Sequence, residues 1–308
     1  MNILGIESSC DETAAAVVSD ARLGRGPRLR SSIVASQLAV HRPFGGVVPE
    51  LASRSHVRFI TDVMEEALAR AKLPLRRVDA VAATAGPGLA GALLVGLTAG
   101  KALAWLLRKP FLAVNHIEAH VYAGFLEDPA LAPPLLALVV SGGHTELIAM
   151  SAHGCFRILG RTRDDAAGEA FDKAGKLLGL GFPGGPRVER LARRARSTRP
   201  LPVARLKSGG LDFSFSGLKT AVALEAAKPG DRAALAAGFQ EAVVEALAAR
   251  PRAALKATRA RTLVLAGGVA ANGAVRERFA ALAREAGVRL VVPALPLCTD
   301  NAAMIACA

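Results

Sequence analysis

One plan of strand, polar turn and strand occurs twice in this chain, and it limits the fold more than any other feature. Residues 2–18 read NILGIESSCDETAAAVV: an apolar strand, a polar turn carrying Asp11 and Glu12, and a second apolar strand. Residues 135–150, LLALVVSGGHTELIAM, repeat the plan with serine and glycines in the turn. Short apolar runs bounded by turn residues read as buried strands, so each segment is a β-hairpin. Two hairpins of one design imply two lobes of one design, facing a cleft. VDAVAATA (78–85) and PFLAVN (110–115) add strands with a helix between them. Residues 261–287 read as strand, Gly-Gly turn and helix, and 289–308 as strand, Pro-rich loop and the start of a helix. The middle is mostly helical with Gly and Pro breaks. The expected class is α/β. The N-terminal lobe is placed at 1–112, with 297–308 returning to it, and the C-terminal lobe at 113–296 with a helical insertion at about 160–260.

Composition excludes several classes. With 308 residues, 52% hydrophobic and 21% charged, the chain has a core for two domains and is not disordered. Cys10, Cys155, Cys298 and Cys307 form no CxxC, which removes zinc ribbons and thioredoxin-type motifs, and a disulfide framework is not expected. The first residues lack the basic and apolar regions of a signal peptide, so a cytoplasmic protein is expected. Residues 80–100 carry no charge and are long enough to cross a bilayer, but GPGLAG breaks them into strand, loop and helix, so no membrane is expected. The net charge is +13, with arginines gathered in 187–200 and 250–261. These are a surface for nucleic acid or a solvated face of an Arg- and Ala-rich chain. One Trp and one Tyr speak against a stacking platform, so charge and shape would dominate any RNA binding.

Glycine-rich turns offer places for phosphate. GPGLAG (86–91) fits GxGxxG, but a dinucleotide fold needs an acid near the end of the next strand, which instead ends in Asn115 and His116. GLTAGKA (96–102) is one residue short of a Walker A loop and has no Ser or Thr after Lys101. SGGHT (141–145) and AGGVAAN (266–272) each set paired glycines after a strand, where backbone N–H groups can meet an anion. Two such turns, one per strand system, favour a nucleotide-phosphate cleft over plain tight turns.

VNHIEAH (114–120) sets His116 and His120 four residues apart. On a helix such residues share a face, with Cβ atoms about 6 Å apart, and two imidazoles so placed can chelate one metal. The pair alone is a weak signal and is more often two ordinary surface or cap histidines. Asp300, at a loop-to-helix junction, is the candidate third ligand. Asp11 or Glu12 can orient an amine or take its proton, or serve only as turn acids. Asp164 and Asp165 read as an Asx cap on a helix from Ala166.

Together these segments carry a resemblance. GIESSCDETAAAVV, GGVVPELASRSHV, GPGLAGALLVGLTAGKALA, VNHIEAH, VVSGGHTELI, TRDDAAGEAFDKAGKLLGLGFPGGP, DFSFSGLKTAV, LAGGVAAN and CTDNAAMIA run in family order over nearly the whole chain. The chain resembles the tRNA N6-adenosine threonylcarbamoyltransferase family, the TsaD type, formerly known as O-sialoglycoprotein endopeptidase. The resemblance implies the two-lobed actin/hexokinase/Hsp70-like fold, a duplicated RNase H-like α/β fold with its active-site cleft between the lobes. It implies that His116, His120 and Asp300 hold one divalent metal, iron (Fe2+) or zinc. It implies that Val139, Val140, Ser141, Gly142, Gly143, Asp172, Gly185 and Asn272 bind substrate, with Asp11 and Glu12 as the candidate catalytic acids. The implied reaction passes the threonylcarbamoyl group of threonylcarbamoyl-adenylate to the N6 amine of adenosine 37 in tRNAs reading ANN codons, with release of AMP. Implied partners are a non-catalytic paralogue of the same fold and a small ATPase, as in bacterial-type complexes. Phe44 stands where relatives often have Tyr, and relatives continue past residue 308 through a last helix and tail.

Other readings are weaker. A zincin needs HExxH, and Ile117 stands where its Glu would be. A carbamoyltransferase of the same superfamily acting on a small molecule or protein shares the core, but no fused carbamoyl-phosphate domain is present. A non-catalytic scaffold paralogue would be expected to lose the triad. A sugar or acetate kinase of this fold has no need of HxxxH.

Overall fold

The computed structural model describes residues 1–20, 26–203, 210–258 and 260–308. Two compact units emerge, Met1–Leu131 with Pro293–Ala308, and Ala132–Val292.

In the first unit β1 (Asn2–Glu7), β2 (Glu12–Ser19) and β3 (Arg28–Ser36) form an antiparallel meander. After α1 (Leu38–His41) and α2 (Pro49–Arg70) come β4 (Ala80–Gly86), α3 (Ala90–Leu107), β5 (Phe111–Asn115) and α4 (His116–Glu127). The sheet order is β3-β2-β1-β4-β5, with β4 parallel to β1 and β5 parallel to β4. One face is closed by α2 and α3, whose apolar residues pack on Leu4, Ile6, Val17 and Val81.

The second unit opens with β6 (Leu135–Val140), β7 (Thr145–Ala152) and β8 (Cys155–Arg161). Then come α5 (Ala167–Leu177), α6 (Gly184–Ala192), α7 (Ser216–Ala226) and α8 (Arg232–Thr258), followed by β9 (Thr262–Ala266), α9 (Gly273–Ala286) and β10 (Arg289–Val291). Its sheet order is β10-β9-β6-β7-β8, which read from β8 is the order of the first sheet. The doubled hairpin plan is thus a doubled five-stranded sheet. Central strand β6 is buried along its whole length, which accounts for its unbroken apolar run.

The last helices, α10 (Leu295–Cys298) and α11 (Ala302–Cys307), belong to the first unit. Helix α11 lies against β1, β2 and α4, and its Ala302, Ala303, Met304, Ile305 and Ala306 join Ala119 and Ala123 of α4 in one buried cluster. Gly5 permits this approach, since a Cβ there would stand 2.3 Å from the Ala302 carbonyl oxygen. Where the sequence reading ended the first lobe at 112 and resumed it at 297, the compact unit runs to Leu131 and resumes at Pro293, because α4 packs with α11.

Helix α3 has the length and composition to cross a membrane, with 22% of its 18 residues buried. Its small residues Ala92, Gly96, Gly100 and Ala104 face inward, while Leu94, Trp105 and Leu106 are exposed.

Candidate metal centre

The end of β5 launches α4 directly, and Asn115 makes the junction. Its Oδ1 accepts the N–H groups of Ile117 at 2.9 Å and Glu118 at 3.2 Å. A cap of this kind is worth about 1 kcal/mol and fixes the first turn, where His116 sits. His120 follows one turn later on the same face. Both imidazoles are buried, with ring centroids 4.8 Å apart. Asp300 comes from the turn between α10 and α11, where Asn301 caps α11 through the Met304 N–H. Its Oδ1 lies 3.3 Å from His120 Nε2 and 3.6 Å from His116 Nε2. One ligand atom from each of the three residues lies within 4.8 Å of the others.

His120 supplies the test of fit for a metal. Its Nδ1 has no hydrogen-bond partner and its Nε2 faces only the Asp300 carboxylate at 3.3 Å, although the residue is fully buried. Orphaned buried imidazole nitrogens are costly, and a cation between His116, His120 and Asp300 would satisfy one of them. Two imidazoles and a carboxylate suit a borderline divalent ion.

The sequence reading missed the residue behind this group. Glu7 ends β1, is fully buried, and its Oε2 lies 2.9 Å from His116 Nδ1. Thr84 donates to the same oxygen at 2.7 Å, and the Ser9 N–H donates to Oε1. A histidine whose Nδ1–H is held by a carboxylate presents Nε2 to a metal in a fixed orientation. Burial pushes the Glu7 carboxyl up, but attraction to His116 outweighs it and holds Glu7 below the usual range. Burial likewise works against a charged His116, and Glu7 and Asp300 reverse that, so His116 is raised. The available cue was a lone acid closing an apolar strand.

Asp11 and Glu12 stand at the same hairpin tip, each half-buried. Burial, then Asp11 and Asp300, push Glu12 up to about 9, and its carboxyl hydrogen-bonds Asp11. Burial and the same acids push the Cys10 thiol far up, which leaves it a poor nucleophile.

The remaining candidates lie in the second unit. Val139 and Val140 have fully buried side chains in β6 and Ser141 is buried too, so of this run only Gly142 and Gly143 reach the surface. Ser141 Oγ accepts the His144 N–H, and the Ser141 carbonyl accepts the Gly168 N–H at the start of α5. Gly142 and Gly143 are exposed, with open space where a Cβ would stand. Gly267, at φ +94°, packs on Val140, where a Cβ would come 2.3 Å from the carbonyl oxygen. Asp172 accepts the Gly184 N–H at 2.6 Å, beside Gly185 in the first turn of α6. Asn272 caps α9 through the Val275 N–H at 3.1 Å and donates to Gln240 at 3.0 Å. Glu189, in the second half of α6, accepts the Gly273 N–H and so ties α6 to the start of α9.

Comparison with known proteins decides the family. The sequence pattern of tRNA N6-adenosine threonylcarbamoyltransferase (TsaD) matches residues 28–307. The protein of that name from Moorella thermoacetica is 54% identical over 314 residues, spanning 100% of this chain and 90% of the relative. The chain belongs to the tRNA N6-adenosine threonylcarbamoyltransferase family. It is accordingly a transferase. Its fold is shared with more distant structures. HypF from T. kodakarensis is 14% identical at TM-score 0.67, covering 99% of this chain and 46% of HypF. Component A of Acidaminococcus fermentans (R)-2-hydroxyglutaryl-CoA dehydratase is 15% identical at TM-score 0.58, covering 100% of this chain and 96% of its own. These two similarities establish the actin/hexokinase-like fold alone.

Two expectations need correction or limits in this threonylcarbamoyltransferase family member. Asp164 does not cap α5. It accepts the N–H groups of Phe215 and Ser216 and the hydroxyls of Ser214 and Ser216, tying β8 to the start of α7. The first N–H of α5, from Ala167, goes to Thr145 Oγ1 instead. Of the arginine clusters, Arg190, Arg193, Arg194, Arg196 and Arg261 are exposed, while Arg259 lies outside the described residues. Cavities of ≈ 550 and ≈ 590 Å³ open in the second unit near Arg252 and Cys155, lined in part by the second arginine cluster but by none of the metal, catalytic or substrate candidates.

Proposed function

We propose that the protein transfers the threonylcarbamoyl group from threonylcarbamoyl-adenylate to the N6 amine of adenosine 37 in tRNAs that read ANN codons. The new bond joins N6 to the carbamoyl carbon. The bond from that carbon to the adenylate phosphate oxygen breaks, and AMP leaves. The observation that carries this reading is the convergence of two buried imidazoles, His116 and His120, on the Asp300 carboxylate in a chain of this family.

His116, His120 and Asp300 would hold one divalent ion, Fe2+ or zinc. When bound, such an ion supplies charge stabilisation to oxygens of the threonylcarbamoyl group. An exocyclic adenine amine is a poor nucleophile, so the protein must contribute position and a proton acceptor. Asp11 takes the amine proton, and the Glu12 carboxyl, hydrogen-bonded to Asp11, orients it. The N–H groups of Gly142 and Gly143 receive the adenylate phosphate, and Asn272 contributes to the nucleotide pocket. Asp172, next to Gly185, accepts from ribose hydroxyls.

Exposed Leu94, Trp105 and Leu106 on α3 support a protein partner, which we assign as a non-catalytic paralogue of the same fold, acting with a small ATPase. A tRNA substrate supports a cytoplasmic location. Nucleoside mass spectrometry of tRNA from depleted cells tests the whole reading. N6-threonylcarbamoyladenosine should fall to background and return with the parent gene but not with Asp300→Ala. Unchanged levels after depletion would refute it.

A further inference from the structure

Behind the first hairpin tip lies a run of buried polar side chains that the chemistry above does not use. Thr13 of β2, Gln37 at the end of β3, His41 of α1 and His56 of α2 are each at most 1% exposed. Donor counting gives their hydrogen bonds a direction. The Val48 N–H donates to His41 Nδ1 at 3.2 Å, so that nitrogen carries the lone pair and the proton sits on Nε2. His41 Nε2–H then donates to Gln37 Oε1 at 3.3 Å. This orients the Gln37 amide, whose Nε2 faces Thr13 Oγ1 at 3.3 Å and His56 Nδ1 at 3.2 Å. The Thr13 hydroxyl lies 2.8 Å from the same His56 nitrogen. With donors on that side, His56 Nδ1 accepts, and its proton sits on Nε2, 3.0 Å from the Cys10 carbonyl oxygen. Burial holds the His56 imidazole below its ordinary value, which keeps it neutral as the arrangement requires.

The bonds therefore run one way, from the backbone at Val48 through three side chains to the backbone at Cys10. Gln37 adds a second tie, its own N–H donating to the Asp11 carbonyl at 3.0 Å. The two bonds end on Cys10 and Asp11, the residues that determine where the acids at 11 and 12 stand. Mutual satisfaction of buried polar groups would explain the burial of these side chains. It would not require the chain of bonds to end at the tip. Hairpin tips are otherwise among the looser parts of a fold, and a misplacement of about 1 Å in a reacting group costs on the order of 100-fold in rate.

We propose that His41, Gln37 and His56 are positioning residues for the transfer reaction, holding the Cys10 and Asp11 backbone so that the Asp11 and Glu12 carboxyls meet the substrate amine. This rests on the reading that Asp11 accepts the amine proton. The loop at 42–48, through Val48, becomes the far anchor of the same device.

Two measurements test it. In protein labelled with 15N-histidine, His41 and His56 should both show the neutral Nε2–H tautomer at pH 7. An Nδ1–H tautomer at either would reverse the bonds and overturn the assignment. Second, threonylcarbamoyl transfer to tRNA is measured with purified adenylate in the reconstituted complex. Gln37→Glu replaces a donor by an acceptor of the same size, and His56→Phe removes the bond to Cys10. Each should lower kcat by roughly 10- to 100-fold, with KM for the adenylate within about threefold of parent and metal content unchanged. His56→Gln, which keeps an N–H within reach of Cys10, should recover most of the rate. Should His56→Phe fail to fold, Gln37→Glu and His56→Gln read the same quantity. A folded Gln37→Glu variant with the parent kcat overturns the proposal. Asp11→Asn, measured alongside, separates the two readings. If it transfers at the parent rate, the role given to Asp11 is wrong, whereas the tautomers and the Gln37→Glu result are read independently of it.

Discussion

The tip between β1 and β2 and the tip between β6 and β7 hold the same place in two sheets of the same order, yet they are equipped for opposite charges. The first presents side chains: Glu7 fully buried, Asp11 and Glu12 half-buried, with Asp300 close enough to raise Glu12. The second has no ionisable residue from 139 to 143 and presents backbone, with Gly142 and Gly143 open to solvent. Asp11 and Asp300 raise Glu12, and crowded carboxylates favour a cation nearby. Backbone N–H groups beside a helix start favour an anion. The scaffold itself is indifferent, and a few residues at one turn decide which partner each tip can hold.

Breaking the first tip should have the largest effect. Purified parent should carry about one iron or zinc per chain, and His116→Ala with His120→Ala should carry none, since too few ligands remain. Glu7→Gln touches no metal and keeps the size of the side chain. It removes the carboxylate that orients His116, so metal affinity should fall about 10- to 100-fold. Metal titration with a competing chelator reads both. Parent-like affinity in Glu7→Gln would mean that Glu7 is only a buried partner of His116 and Thr84.

The second tip and the turn and helix packed around it should break more gently, in stability and nucleotide affinity rather than in metal binding. Gly267→Ala meets both a positive φ and the Val140 carbonyl, so it should cost roughly 2–5 kcal/mol in a denaturation midpoint analysis. Gly142→Ala has open space and should leave stability within about 1 kcal/mol. If the turn receives the adenylate phosphate, Gly142→Ala should still weaken AMP binding in calorimetry. Asp172→Ala should do so by roughly 1.5–3 kcal/mol if its bonds are to ribose hydroxyls. Asp300→Ala should lose metal and keep AMP affinity. Loss of AMP binding in Asp300→Ala, or none in Asp172→Ala, would erase the division of labour between the tips.

How much of this was legible in the sequence depends on the range of the interaction. Both hairpins are local patterns, and the sheets follow from them. His116 and His120 are one helical turn apart, so their pairing is local too. The placement of α4 in the first unit was not legible, because it depends on Ala119 and Ala123 meeting Met304 and its neighbours, far away in the chain. Asp164 misled for the same reason. Its partners at 214–216 lie about fifty residues on, and the nearby helix start found Thr145 instead. Glu7, Gln37, His41 and His56 sit at no telling spacing, and only the fold aligns them.

The smallest expected effect concerns the basic surface, where neither tip takes part. Arg193 is a poor probe, since it pairs with Glu189, which in turn holds the Gly273 N–H beside Asn272. Arg194 and Arg196 are exposed and lie just past α6, so they can be reversed without touching that bond. If they contact tRNA phosphates, Arg194→Glu with Arg196→Glu should weaken tRNA binding modestly and make its dependence on salt shallower. Each lost phosphate contact removes roughly one unit from the slope of log affinity against log salt. AMP affinity and metal content should not move, because both tips are intact. Filter binding across a salt series gives the slope directly. An unchanged slope would return these arginines to a solvated face and confine the contact with tRNA to other parts of the surface.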